Sequence, residues 1–152
     1  MSDFKSAFNK GIQAAEAADA ANKEIDLVFQ DLNKQLAEAT VGKLTIRRQL
    51  LERPRERSLE QYLPPSGPFE AWLPPDTYWA LVAVNPKIES SYDELCEWDS
   101  DSAGYPCTLT WGFEKHYCEN KQSLEDTLSE LLRDPIISRK MLTLMNAKPK
   151  NR

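Results

Sequence analysis

The sequence predicts an α+β fold: a long N-terminal helix, an antiparallel sheet of about four or five strands, and two short C-terminal helices. Three observations predict it. An apolar seam recurs at steps of four and three along residues 1–41, the period then changes to two, and capping signals near the end restart the helical pattern. Helices at both ends of the chain with strands between them imply a sheet covered by helix on one face.

The N-terminal seam runs Phe4, Phe8, Gly11, Ala15, Ala18, Asn22, Ile25, Phe29, Leu32, Leu36 and Ala39, with only Gly11 and Asn22 departing from apolar character. Ser2 is positioned to cap the start, and Gly42 follows the end. A helix of this length measures roughly 50 Å at 1.5 Å per residue, longer than a small domain is wide. It must bend, break near Gly11 or Asn22, or pack against a partner. Small residues fill the middle of the seam, Gly11 to Ala21, and permit close backbone approach. A helix laid across a sheet satisfies that pattern, and so does a homodimer formed through the N-terminal helix.

The sheet is expected over residues 43–118. Leu44, Ile46, Arg48 and Leu50 alternate with Thr45, Arg47 and Gln49, the signature of a half-buried strand. Phe69, Ala71 and Leu73 suggest a short edge strand, because Pro68 cannot donate to a ladder. Tyr78 to Val84 is apolar on both faces and reads as a covered central strand, ended by Asn85-Pro86. Strands around Leu95 to Trp98 and Cys107 to Phe113 flank a long polar turn. The closing helices span 123–146: Ser123 opens one in the pattern Ser-Leu-Glu-Asp, and Asp134-Pro135 opens the other. No repeat divides the chain, so 1–152 reads as a single domain.

The formal net charge is −5, which disfavours broad attraction to nucleic acid or an anionic membrane. No apolar run is long enough to span a bilayer, and charged residues interrupt the alanine-rich start where a secretory signal needs an unbroken apolar stretch. Three cysteines in no tight pairs fit a reducing compartment better than a disulfide framework. The expected location is cytoplasmic.

The stretch CTLTWGFEKHYC, Cys107 to Cys118, contains the only histidine, His116, and with Cys96 assembles the elements of a zinc site or a Cys–His nucleophile. Two arguments oppose both. The short ligand spacing of structural zinc sites is missing, and alternation continued through the stretch points His116 and Cys118 away from Cys107, so that a bulge or turn near Gly112 would have to intervene for one metal to reach both. Phosphate-binding loops, paired metal-binding histidines and dinucleotide fingerprints are also absent from the sequence. The expectation is a protein with no catalytic residue, metal or cofactor.

Two charged segments remain. Arg47, Arg48, Arg53, Arg55 and Arg57 suit phosphate contacts, but Glu52, Glu56 and Glu60 are interleaved with them. From Ile88 to Glu114 there is no lysine or arginine, while carboxylates accumulate among aromatics. Glu94, Glu97, Trp98, Asp99, Asp101 and Tyr105 form the candidate partner-binding set, with aromatics as anchors and carboxylates steering a basic partner. The expected function is non-enzymatic protein binding, as an acidic inhibitor or immunity-type protein docking on a basic partner such as a nuclease toxin. The alternatives are an adaptor or chaperone, or a nucleic-acid or phosphate-ligand binder using the Arg47 to Arg57 segment.

Overall fold

The computed structural model describes residues 2–53, 76–88 and 91–148. The element order is α1 (Phe4–Thr40), β1 (Thr45–Glu52), β2 (Thr77–Val84), β3 (Tyr92–Asp101), β4 (Gly104–Trp111), β5 (Glu114–Cys118), α2 (Lys121–Arg133) and α3 (Pro135–Met145). The five strands form one antiparallel sheet in sequence order. This is the expected α+β arrangement. The proposed Phe69 to Leu73 strand lies outside the described residues, as do Arg55 and Arg57.

Register decides which residues share a face. Ile46 pairs with Ala83 and Arg48 with Leu81, Leu81 pairs with Cys96, Trp98 with Leu109, and Cys107 with Cys118. These positions therefore point the same way, and all of them except Arg48 belong to one buried cluster with Ile25 and Phe29 of α1, Leu124, Leu128 and Leu131 of α2, and Ile137, Met141 and Leu144 of α3. All three helices thus pack on one face of the sheet. The opposite face carries Arg47, Gln49, Tyr78, Ala80, Val82, Glu94, Glu97, Asp99, Thr108, Thr110, Lys115 and Tyr117.

One irregularity sets the face of the acidic residues. Leu81 pairs with Cys96 but Val82 pairs with Glu94, so Leu95 is an additional residue, a β-bulge. Both Leu95 and Cys96 are buried as a result. Beyond the bulge the alternation is shifted by one residue. Glu94 consequently shares a face with Glu97 and Asp99, which an unbroken strand forbids.

The helix α1 is continuous over 37 residues, about 55 Å. Asp3 rather than Ser2 is its N-cap and accepts from the Ser6 amide at 3.1 Å. Val41 takes the left-handed position at its end, and the Gly42 amide closes onto the Ala37 carbonyl at 2.9 Å. Only the second half of the helix is packed. Ile25, Val28 and Phe29 are buried, and Asn33 ties α1 to the sheet edge by donating to the Ile46 carbonyl at 2.9 Å and accepting from the Ile46 amide at 2.8 Å. Those two backbone groups face outward on an edge strand, so Asn33 satisfies what a missing neighbour strand would.

At the other end of the sheet, α1 rests on the β3–β4 turn. A Cβ on Gly104 would sit 2.7 Å from the Ala21 methyl, so glycine is required for this close approach. Asn22 reaches from the helix to the Ser102 carbonyl at 3.4 Å. The C-terminal helices are capped by side chains: Asn120 and Ser123 form a reciprocal capping box for α2, which starts before Ser123, and Asp134 caps α3 ahead of Pro135. Among the described residues no helix is long and apolar enough to cross a membrane.

Candidate protein-binding face

The face on which no described helix packs, where Ala80 and Val82 are nevertheless fully buried, brings together part of the acidic set and separates the rest. Glu94, Glu97 and Asp99 project from it in β3. The Tyr78 hydroxyl donates to Glu94 at 3.0 Å, and Arg53 pairs with Glu97 at 3.1 Å while its guanidinium lies 4.5 Å from the centre of the Tyr78 ring. Burial, then the Glu94 carboxylate, raises the Tyr78 phenol above its ordinary value. Glu94 and Glu97 are thus held by internal partners. Arg53 and Lys115, both outside the cation-free stretch from Ile88 to Glu114, also reach this surface.

Charge without a partner is concentrated at the β3–β4 end. Asp99 and Asp101 are exposed, and neither has an ion pair among the described residues. Asp101 also shapes the turn, accepting from the Ala103 amide at 3.1 Å and the Ser102 hydroxyl at 3.2 Å. Beside Asp99 a groove of about 550 Å³ runs along this face past Arg53, Tyr78, Glu97, Thr108, Lys115 and Tyr117, and reaches Trp79 and Trp98 at the sheet's end.

Trp98 and Tyr105 lie elsewhere. Trp98 is 6% exposed on the helix-covered face, its ring meeting Phe29 edge-on at 5.4 Å. The Arg48 guanidinium lies 4.8 Å from the centre of the Phe29 ring and 5.8 Å from that of Trp98, and pairs with Asp26. Tyr105 is half-buried under α1, where its hydroxyl donates to Glu24 at 2.8 Å; burial first, and then Glu24, raises its phenol. The exposed aromatic on the binding face is instead Tyr117, 65% exposed beside the groove, whereas the half-exposed Trp79 shares the face of Leu81, Arg48 and Trp98. Trp79 was hidden in an apolar run that reads as covered throughout. Tyr117 lies in the cysteine–histidine stretch, beyond the turn near Gly112 that alone could change its facing.

That turn overturns the opposite facing expected for Cys107 and His116. Gly112 and Phe113 both have positive φ, 58° and 67°, and form a two-residue hairpin loop between the paired Trp111 and Glu114. The chain reverses, so Cys107 faces Cys118 and Leu109 faces His116 on the covered side. Three thiols and the imidazole therefore share one face after all.

Their environments are those of packing groups. Burial pushes the Cys96 and Cys107 thiols up to about 12 and raises Cys118 as well, suppressing the thiolate that nucleophilic or metal chemistry needs. The Cys118 thiol lies 3.4 Å from the Thr127 hydroxyl, and that of Cys107 lies 3.4 Å from the Gly104 carbonyl. His116 stacks on Trp111 with ring centres 4.0 Å apart, and its nitrogens lie 3.7 Å from Glu114 and 3.9 Å from Glu130. Among the described residues no group of three or more histidine, cysteine or acidic side chains is arranged to hold a metal ion.

Comparison with protein-family models, curated proteins and solved structures finds no match.

Proposed function

We propose that this is a non-enzymatic protein-binding protein whose sheet face opposite the helices docks on a basic partner, as an acidic inhibitor of the kind that neutralises a nuclease toxin. One observation supports the reading: Asp99 and Asp101 stand exposed and unpaired among the described residues at the end of a sheet face that also carries the exposed ring of Tyr117. Unpaired carboxylates act at a distance on a cationic surface, and an exposed aromatic supplies contact area at low entropic cost. Nucleic-acid enzymes have basic clefts, which makes them suitable targets.

Two of the arginines described in the alternative, phosphate-binding segment are occupied by internal partners. Arg48 is committed to Asp26 and the Phe29 and Trp98 rings, and Arg53 to Glu97. The test is a paired capture from the source cell, with the wild-type protein and the Asp99→Lys/Asp101→Lys variant immobilised side by side. A basic protein retained by the wild type and lost by the variant is the expected result. Equal retention by both, or retention of nucleic acid in its place, would remove the acidic face from the account.

A further inference from the structure

The seam of α1 outlasts the sheet beneath it. Its second half packs on the strands, but beyond Ala21 and Asn22, where the helix touches the β3–β4 turn, no described element covers the remainder. Phe4 is 80% exposed, Phe8 66% and Ile12 44%, all on a continuous helix with no break at Gly11. Two phenylalanines and an isoleucine spaced four residues apart make an apolar stripe of a kind that is normally covered.

We infer that this free half of α1 pairs with the same half of a second copy of the chain, in antiparallel orientation. Size decides the direction. The stripe is large at its start and small further on, so an antiparallel pair sets Phe8 against Ala18 of the second copy and Gly11 against its Ala15. A parallel pair stacks phenylalanine on phenylalanine and leaves the Gly11 to Ala18 layers empty.

Charge points the same way. The helix carries Lys5 and Lys10 near its start and Glu16 and Asp19 further on. Antiparallel pairing brings Lys5 beside Asp19 of the second copy on each side of the two-fold axis, whereas parallel pairing sets like charges together. Along the other flank Ala7, Ala14 and Ala21 leave room for close backbone approach, with Ala14 nearest the axis.

The area is sufficient. At roughly 150–250 Å² for each buried ring, the four phenylalanines of a pair supply at least about half of the roughly 1,200 Å² at which stable interfaces begin. Ile12 and the alanines of two helices overlapping for about 27 Å supply the remainder.

Light scattering on the full chain across a wide concentration range tests the inference. Twice the chain mass is expected for the wild type, falling to a single chain mass in Phe8→Glu. Because Phe8 is 66% exposed and outside the buried cluster of described residues, circular dichroism of that variant should still show a folded protein. Lys5→Asp alone and Asp19→Lys alone should each weaken the dimer by roughly threefold to tenfold, and the two together should restore it. Under copper-catalysed oxidation, Ala14→Cys should cross-link to itself. Phe4→Cys should not, since its two copies lie about 27 Å apart. A wild-type monomer at the highest concentration would overturn the inference. So would a dimer indifferent to Phe8→Glu, failure of the double charge exchange, or self-cross-linking at position 4 instead of 14.

Discussion

The two faces of the sheet use the same kinds of residue for opposite purposes. On the covered face, Trp98, the three cysteines and Arg48 are occupied with α1, α2 and their own cross-strand neighbours. On the opposite face, Tyr117, Asp99 and Lys115 border an open groove. An aromatic or a charge in the β3–β5 region therefore says nothing about binding until its face is known. Face depends on one bulge and one turn.

Removing Trp98 should separate the faces most sharply. Its ring fills the space under Phe29, so Trp98→Ala should lower stability by about 3–5 kcal/mol in chemical denaturation. A loss of partner affinity with unchanged stability would mean that the indole reaches the binding surface after all.

The thiols extend the contrast to pH. Each of the three has a raised pKa in the folded chain, from an ordinary 9.0 to about 12 for Cys96 and Cys107. The protonated thiol is the form the fold favours. Their contribution is complete below pH 9 and is lost as pH climbs towards 12. Melting temperature should fall progressively over that window, and less steeply in Cys107→Ala, although that variant starts from a lower value because it leaves a cavity. An identical alkaline slope in Cys107→Ala would show that the thiol is not protected by burial.

On the opposite face the effect on stability should be small. Tyr117→Ala should change unfolding free energy by no more than about 0.5 kcal/mol, while costing about 2 kcal/mol in affinity for the captured partner, measured by calorimetry. Unaltered affinity would take Tyr117 out of the interface.

Much of the fold was legible because its signals are local. The heptad seam, Asp134-Pro135 and the alternation from Leu44 to Leu50 each depend on neighbours a few residues apart, and each element formed where that pattern lies. The cap of α2 was misplaced only from Asn120 to Ser123, the two partners in one capping box. The site was less legible because it depends on register. The additional residue at Leu95 is invisible in a run of hydrophobic and acidic residues, yet it unites Glu94 with Glu97 and Asp99. Gly112-Phe113 is an unusual hairpin loop, since phenylalanine rarely takes positive φ, and alternation carried through it reversed the expected facing of His116 and Cys118. Trp98 and Tyr105 were indistinguishable from surface aromatics until α1 was laid across them.

The central claim is that exposed carboxylates at the β3–β4 end steer a basic partner onto the face opposite the helices. The most direct measurement is the association and dissociation rate of the captured partner, by surface plasmon resonance at two salt concentrations, for the wild type and Asp99→Lys/Asp101→Lys. The charge reversal should slow association far more than it speeds dissociation and should leave the melting temperature nearly unchanged. Wild-type association should fall as salt shortens the Debye length from about 10 Å at 0.1 M to about 3 Å at 1 M. Association indifferent to both salt and charge reversal would contradict the account.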